Sequence, residues 1–537
     1  MRLSEFGISK GCNNLSQKIY DMFVEIASKG IDILEWDIDG LVFDKDFINE
    51  QLYISNTASE KELKDSVRNI AIKMGNLSNL TIDGLGNTIL YNNRCVQIAL
   101  LKSKNVTIKN LTFDYINPTV AEFTVVNKGF GYIDVEINQD TLYAIKGGKL
   151  YFLADDKSRC VVQECDNAKG ITRRVNELSY RGHNSFNGKW CKKLPDGKIR
   201  IYTLYPSFKV GNTYQCTWVR RDGTGLFMDE CKNITLDNCR FKFMHGMGVL
   251  CQRTEDITIK NTDFLPNKEH GRTTVAFADV MHFVNCKGVI NVKNVKADGT
   301  RDDVINNHGI HLKITKVEGD KICVKYCHSQ TYGFNCFYEG DEIEVVDSNT
   351  LLPIGSAKVK SSKMLDPRTI QLELCEIAEK NSISVGAVVE NTTWTASLIV
   401  DNLETFNDPT RGILVTTRKP VVIKNCTFNK CYMPSIHISD DARSWYESGY
   451  CRDVLIENNV FNNCLDYAIS IEPENIGDKA VHKNIKIINN KIISENGKIL
   501  TAKCAEGVIF DKNIIESKAD IDVNLKNLLN SNINLQK

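Results

Sequence analysis

Three aspartates in the middle of the chain have the residue type and spacing of an acid–base site. Asp279 is followed 23 residues later by the pair Asp302 and Asp303. Carboxyls placed this close repel one another, which raises the pKa of one member and sets a general acid beside a general base. An Asp-Asp pair alone is more often a solvated turn or a calcium ligand. The coil offset and the nearby Asn306 and His308 favour catalysis with substrate binding, and we predict no metal and no cofactor.

A second polar segment lies more than a hundred residues further on and contains Asp441, Trp445 and Glu447. An indole beside carboxylates suits a sugar, because the apolar face of the sugar stacks on the ring while its hydroxyls bind to acceptors. The alternative is a loop that only covers the fold. We predict that this segment forms one wall of a sugar-binding site.

A degenerate repeat must bring these two segments together. In each copy a β-branched run meets an asparagine and then another apolar pair, at Asn110, Asn238, Asn261, Asn294, Asn402, Asn425, Asn458 and Asn489. Neighbouring copies are often 23 or 33 residues apart, as in 238 to 261 and 261 to 294, which is the period of one solenoid coil with loop insertions. Alternating apolar residues between the asparagines predict a parallel β-helix, with the asparagines in left-handed bends that hydrogen-bond to the next coil. Stacked coils lie about 4.8 Å apart, so Asp279 is expected one strand away from the aspartate pair.

The repeat is interrupted twice, and the predicted fold is all-β: a right-handed parallel β-helix with two inserted antiparallel β modules. A helix at Ser16–Lys29, ending at Gly30, is expected to cap the first coil. Cys239, Cys426 and Cys464 are predicted to fill the core. The predicted parts are 1–115 (cap and first coils), 116–225 (inserted β module), 226–310 (catalytic coils), 311–395 (inserted β-barrel module) and 396–537 (C-terminal coils and tail).

Composition excludes several classes of protein. With 42% hydrophobic and 25% charged residues, the 537-residue chain is not a disordered one. Its 67 basic and 67 acidic residues cancel, so we expect no nucleic-acid partner. No apolar run is long enough for a membrane span, and the first residues lack a secretory signal, which predicts a cytoplasmic protein as written and a secreted or periplasmic one if a signal peptide has been removed. The 19 cysteines without CxxC pairs favour reduced thiols, and the oligomeric state stays open.

Four segments resemble the family 110 glycoside hydrolases. These are the segments that begin at Asp279 (DVMHF), Asp302 (DDVINNHG), Arg411 (RGILVTTR) and Asp440 (DDARSWYESG). That family consists of inverting α-galactosidases that cleave α-1,3-linked galactose, including the blood group B type epitope. The resemblance implies an exo-acting enzyme on an α-galactoside glycan, with Asp302 as the acid and Asp279 and Asp303 holding and deprotonating the water. The predicted substrate-binding residues are Asn306, His308, Arg272, Asp441, Trp445 and Glu447.

Other functions fit the same pattern of coils and carboxylates. A polygalacturonase-like hydrolase of acidic polysaccharides would need a basic subsite, for which the candidates are Arg272, Arg301 and Arg418. A non-catalytic β-helix that binds glycans would use the carboxylates for calcium or solvent, and a calcium-dependent lyase is a further alternative. For the hydrolase, the charges of its neighbours are expected to keep Asp302 protonated near neutral pH.

Overall fold

The computed structural model describes residues 1–153, 160–175, 187–204, 207–217 and 220–535, and parts of the predicted 116–225 module fall in the gaps. Parallel strands stack coil upon coil in three columns, and two antiparallel modules interrupt the stack, which confirms the predicted fold class. Within the described residues, no helix is long and apolar enough to cross a membrane.

The three columns of parallel strands are called stacks one, two and three. Stack one contains Ile33–Glu35, Ser78–Asp83, Lys104–Lys109, Lys232–Asp237, Glu255–Lys260, Lys287–Asp298, Ala396–Phe406, Val421–Lys424, Val454–Glu457 and His482–Ile488. Stack two contains Leu41–Phe43, Thr88–Tyr91, Thr112–Tyr115, Arg240–Phe241, Asp263–Phe264, Thr427–Asn429, Val460–Asn462, Lys491–Ser494 and Ile514–Ser517, and the long strands 287–298 and 396–406 run on into it. Stack three contains Val67–Gly75, Val96–Leu101, Thr224–Asp229, Met247–Gln252, Met281–Val284, Ile305–Ile310, Ile413–Thr416, Ile436–Ile438 and Ile469–Ile471. The remaining strands of this sheet are Ile48–Gln51, Glu447–Ser448, Lys498–Asp511, Asp522–Leu529 and Asn532–Ile533.

The repeated asparagines form the bends between stacks one and two. Asn238, Asn261 and Asn294 have φ values of 52°, 51° and 53°, the left-handed region that asparagine tolerates better than other side chains. The amide of Asn294 donates to the side chain of Asn261 at 3.0 Å, and Asn402 continues the ladder to Asn294 at 3.0 Å. The predicted role of these residues in linking coils is confirmed, and it explains why a polar residue recurs beside a core.

In the described part of the chain the helices are few and short, and apolar side chains fill the interior of the coils. The N-terminal helix spans Leu15–Lys29, ends at Gly30 and buries Ile19, Met22, Phe23 and Ile26. Short 3₁₀ helices occupy Leu3–Phe6, Lys64–Ser66, Lys268–His270 and Lys380–Ser382. Cys239, Cys426 and Cys464 are buried among the apolar residues of the coils, as their positions in the repeat predict. The interior is therefore packed, and chemistry is confined to the outside of the coils.

The two modules differ in architecture. The first is an antiparallel sheet of Ala121–Gly129, Tyr132–Ile137, Tyr143–Lys146, Lys149–Phe152, Cys160–Asp166, Ile171–Arg174, Lys189–Lys193, Ile199–Tyr202 and Thr213–Thr217. The second is a closed barrel of Leu312–Glu318, Lys321–Lys325, Glu342–Val346, Pro353–Asp366, Thr369–Ala378 and Val388–Asn391. One end of each module lies beside stack three, since the first module ends before the strand Thr224–Asp229 and the second begins after Ile305–Ile310. Each module supplies a side chain that contacts the site described below.

Candidate active site

The floor of the candidate site is the outward face of stack three. Parallel pairing aligns the strands that begin at Met281, Ile305 and Ile413. The residues two positions ahead of these strands are Asp279, Asp303 and Arg411. The pairing offset between the first two strands is 24 residues, so Asp303 rather than Asp302 follows Asp279 in the stack, and the amide of Val280 donates to the carbonyl of Asp303 at 3.0 Å.

The structure brings the three aspartates together, as the coil spacing predicts. One oxygen from each of Asp279, Asp302 and Asp303 lies within 4.8 Å of the others. Their side chains are only 5%, 17% and 3% exposed, so their mutual repulsion is weakly screened. They line a cavity of about 440 Å³, a size that suits a small ligand or a terminal sugar unit.

Three arginines face the carboxyls. Arg174, from the first inserted module, lies 2.9 Å from Oδ1 of Asp302, and Arg221 contacts Oδ2 of the same group. Nη1 of Arg411 lies 3.2 Å from both oxygens of Asp303. These guanidinium groups offset the repulsion between the carboxyls, so the cluster is an ion-paired network rather than three bare charges.

This network decides which carboxyl is ionised. Burial raises the pKa of Asp302, but the charges of Arg221 and Arg174 outweigh burial and lower it to about 2. Burial and the charge of Asp302 raise the pKa of Asp279 to about 7, and burial likewise raises that of Asp303 to about 7 although Arg411 opposes it. The prediction that Asp302 keeps a proton near neutral pH is therefore wrong for the free protein. Repulsion among the aspartates was visible in the sequence, whereas the arginines that clamp Asp302 were not.

Two buried histidines that do not line the cavity form a chain of contacts that begins at Asp279. Nδ1 of His282 lies 2.6 Å from Oδ2 of Asp279, and its Nε2 lies 3.0 Å from Nε2 of His308. Burial lowers the pKa of His282 to about 3 and that of His308 to about 4. His308, predicted to bind substrate, does not line the cavity and instead contacts the residues that do.

The Trp445 segment forms a wall of the cavity. The indole is 43% exposed, and its ring centroid lies 4.3 Å from that of His328, a residue of the barrel module. The carboxylate of Asp441 accepts hydrogen bonds from the backbone amides of residues 443 to 446. Asp441 lines the cavity, but its oxygens are used to hold the loop, so its predicted contact with substrate becomes a positioning role for Trp445.

Asn306 and Glu447 meet between the floor and the wall. Both line the cavity, and Nδ2 of Asn306 lies 3.4 Å from Oε1 of Glu447. The same oxygen accepts from Nδ2 of Asn56 at 3.4 Å and lies 3.5 Å from Nε2 of His308. Oδ1 of Asn306 is buried without a hydrogen-bond partner in the described part of the chain, which leaves an acceptor at the cavity for a ligand hydroxyl.

Arg272 lies outside the site, which corrects its prediction as a substrate-binding residue. It is 2% exposed and forms ion pairs with Asp114 and Asp140. Its guanidinium also donates to the backbone carbonyl of Tyr115 at 2.7 Å. Arg272 therefore joins the catalytic coils to the base of the first module, a structural role that its position near Asp279 in sequence does not reveal.

The other arginines proposed for a uronate-binding subsite are also absent from the cavity lining. Arg418 pairs with Glu344 and Glu390 at the base of the barrel. Arg301 is half-buried, and its backbone carbonyl accepts from Arg174 at 2.8 Å. The arginines that do line the cavity are already paired with Asp302 or Asp303, so none of the described arginines of the lining is free to bind an acidic polysaccharide.

The three carboxylate oxygens are close enough together to hold a divalent cation. However, guanidinium groups already contact Asp302 and Asp303, and a cation would be placed among fixed positive charges. The donor set therefore fits an acid–base group better than a metal centre.

Some site residues were missed by sequence reasoning. Arg174 belongs to the first module and Arg221 lies between that module and the strand Thr224–Asp229, and nothing in their local sequence marks them as site residues. Arg411 was quoted in a motif but given no role, although counting two residues back from each stack-three strand would have aligned it with Asp303. The same register aligns His282, Asn306, Leu414 and His437, and the last three line the cavity.

The chain is similar to several known proteins. A family model described as GLAA-B beta-barrel domain II matches residues 321–383, inside the second module. "Alpha-1,3-galactosidase A" of Bacteroides thetaiotaomicron is 35% identical over 474 residues, covering 87% of this chain and 82% of that protein. "Alpha-1,3-galactosidase A" of Akkermansia muciniphila is 34% identical, covering 86% and 77%. Among solved structures, an exopolygalacturonase from Thermotoga maritima matches with a TM-score of 0.42 at 11% identity over 99% of this chain and 91% of that one, a likeness too low to carry a conclusion.

The matches to the curated relatives extend through the coils, both modules and the Trp445 wall, since they cover 86% or more of the chain. At 34–35% identity over that length, the chain belongs to the alpha-1,3-galactosidase family.

Proposed function

We propose that this protein is an exo-acting glycoside hydrolase of family 110 that removes terminal α-1,3-linked galactose with inversion of configuration, on glycans of the blood group B type. The observation that carries the proposal is the ion-paired cluster of Asp279, Asp302 and Asp303 at the base of a cavity walled by Trp445. Membership in the alpha-1,3-galactosidase family supports a galactoside as the substrate, and the four motifs quoted above support the assignment to family 110.

Asp302 is proposed as the general acid, loaded with its proton when substrate binds. In the free protein its two arginine contacts keep it ionised, while Asp303 has a pKa of about 7 through burial. A glycosidic oxygen that takes the place of an arginine contact weakens the clamp on Asp302 and raises its proton affinity. Transfer of the proton from Asp303 to Asp302 then creates the acid and the base in one step.

Hydrolysis then consumes one proton at the leaving oxygen and releases one from the attacking water. Asp302 donates its proton to the leaving oxygen as the glycosidic bond breaks, and a carboxylate takes a proton from the water whose oxygen attacks the anomeric carbon. The arginine contacts that the substrate does not displace remain paired with the cluster and stabilise its negative charge. After product release the proton taken from the water stays on the base, because the arginines again keep Asp302 ionised, and it moves to Asp302 when the next substrate binds.

The stereochemistry is proposed from the family resemblance. The two catalytic carboxyl groups usually lie about 6.5 to 9.5 Å apart in inverting glycosidases and about 5 to 5.5 Å apart in retaining ones. The nearest oxygens of this cluster lie within 4.8 Å, which by itself is closer to the retaining spacing. The anomer of the first product therefore distinguishes inversion from retention.

A panel of substrates tests the proposed function. We expect release of galactose from nitrophenyl α-galactoside and from an α-1,3-linked galactose disaccharide, and none of the sugar acid from galacturonan. Activity on galacturonan alone would support the polygalacturonase alternative. Binding of the disaccharide without any release of galactose would identify a glycan-binding module.

A further inference from the structure

Two buried histidines connect Asp279 to a backbone carbonyl through an unbroken chain of hydrogen-bonding atoms. Oδ2 of Asp279 lies 2.6 Å from Nδ1 of His282, whose Nε2 lies 3.0 Å from Nε2 of His308. Nδ1 of His308 lies 2.6 Å from the carbonyl oxygen of Gly309. The histidines are 1% and 5% exposed, and the acid–base steps above assign them no role.

The carbonyl end fixes the direction of every hydrogen bond in the chain. A carbonyl oxygen only accepts, so Nδ1 of His308 carries a hydrogen. A neutral His308 then has a bare Nε2, which accepts from the Nε2–H of His282. The neutral His282 is left with a bare Nδ1, and a bare nitrogen 2.6 Å from a carboxyl oxygen requires a proton on that oxygen. The carboxyl of Asp279 therefore donates to His282.

Counting protons excludes the other arrangements. The three contacts are complete only when Asp279, His282 and His308 together hold one proton more than a carboxylate and two neutral imidazoles hold. That extra proton could stand on either imidazole. Glu447, whose Oε1 lies 3.5 Å from Nε2 of His308, favours the imidazolium form of His308, but burial outweighs it and lowers the pKa of His308 to about 4. Burial likewise lowers the pKa of His282 to about 3. The carboxyl of Asp279 is the place that remains.

We infer that His282 and His308 are positioning residues that keep Asp279 neutral and protonated, and that Asp303 is therefore the carboxylate that deprotonates the attacking water. The first half stands on the contact geometry and the burial of the two histidines, and the second half rests on the proposed function. A neutral Asp279 removes one of the negative charges that oppose ionisation of Asp303, while Arg411, 3.2 Å from both its oxygens, favours the anion. Asp279 then keeps its proton through the cycle, and its second oxygen accepts a hydrogen bond from the water.

Several other charged groups face Asp279 and act on the same equilibrium. They come from the elements packed against it: Asp302 and Asp303 from the next coil, Arg221 from the segment between the first module and the strand Thr224–Asp229, Arg174 from the first module, Arg411 from the following coil and Glu447 from the wall segment. None of them contacts Oδ2 of Asp279 among the described hydrogen bonds, so the histidine chain has a distinct effect.

Infrared difference spectroscopy of the whole protein tests the inference. The spectrum of the wild type minus that of Asp279→Asn at pH 7 should contain the carbonyl band of a protonated carboxylic acid. His308→Leu removes the acceptor for His282, so His282 can place its hydrogen on Nδ1 and donate to an Asp279 carboxylate. The midpoint at which the band disappears should then fall by about one pH unit. His308→Gln, whose amide oxygen can accept from His282, should keep the wild-type midpoint.

His482→Leu is the matched control, because His482 is equally buried but lies several coils away; its band should match that of the wild type. Absence of the band in the wild type, or a midpoint that is unchanged or higher in His308→Leu, would overturn the inference. If His308→Leu does not fold, the presence of the band in the wild type and its midpoint in His308→Gln still test the inference. The band does not depend on turnover, so its presence without galactose release would reject only the proposed function, whereas galactose release without the band would reject only the inference.

Discussion

Asp302→Asn keeps the shape of a side chain while removing its charge and its transferable proton. In the structure this carboxylate is the shared partner of Arg174 and Arg221. The variant therefore loses the anion between two guanidinium groups and also loses the proposed proton donor. The first loss affects stability and the second affects turnover, so the two can be measured separately.

The stability effect follows from the ionisation of Asp302. Although burial raises its pKa, the charges of Arg221 and Arg174 bring it from 3.8 to about 2. At 1.36 kcal/mol per pH unit, this difference contributes about 2 kcal/mol to the free energy of unfolding. Because the folded-state pKa is depressed, the contribution is fully present above the unfolded-state pKa and is lost as the pH falls through the folded-state value. Asp302→Asn should therefore be about 2 kcal/mol less stable at pH 7, and the difference should shrink below pH 4.

The kinetic effect depends on the leaving group. General acid catalysis typically contributes about 10²- to 10⁴-fold, so kcat on the disaccharide should fall by that factor. A nitrophenyl galactoside needs less protonation of its leaving oxygen and should be spared more.

Urea unfolding at several pH values and initial rates on both substrates measure these effects. Asp263→Asn, a half-buried carboxylate on a neighbouring coil, is the matched control and should change neither quantity. Equal losses on the two substrates would withdraw the assignment of Asp302 as the acid. A leaving-group dependence in Asp279→Asn instead would transfer that role to Asp279. An undiminished stability at pH 7 would refute the ion-pair argument.

Three further predictions concern the wall, the module contact and metals. Trp445→Ala should lower kcat/KM by a factor equivalent to about 1 to 3 kcal/mol of transition-state stabilisation, because stacking and positioning of the sugar are lost. Unchanged kinetics in a folded variant would make the indole a covering residue only. Arg272→Met should reduce the free energy of unfolding by about 3 kcal/mol, because it leaves the buried carboxylates of Asp114 and Asp140 without their guanidinium partner, yet leave KM for galactosides unchanged; a raised KM would restore Arg272 to the binding site. Incubation with a chelator should leave galactose release intact, and activity that returns only with added calcium would favour the lyase alternative.

The repeat made much of the fold predictable. A recurring asparagine between alternating apolar runs has one physical use in a stacked coil, and Asn238, Asn261 and Asn294 occupy that position in the structure. The same register grouped Asp279 with the aspartate pair, because residues one coil apart are neighbours in space. The local periodicity of the sequence therefore predicted both the coils and the grouping of the three aspartates.

Groups that reach the site from outside the register were not predictable in this way. Arg174 arrives from the first module and His328 from the barrel, and no spacing rule links either to the coils. Arg272 was misplaced for the opposite reason: it is close to Asp279 in sequence, but its side chain turns to Asp114 and Asp140. The protonation states depend on these long-range contacts, which is why Asp302 was assigned a proton that the arginines remove.

The measurement that tests the central claim most directly is the proton NMR spectrum of the first galactose released from an α-1,3-linked disaccharide, recorded before mutarotation. Inverting hydrolysis by Asp302 and a water-activating carboxylate predicts β-galactose as the initial product. Initial formation of α-galactose would show a retaining route, in which one of the three clustered carboxylates attacks the sugar itself, and would contradict the proposed role of a water-activating base.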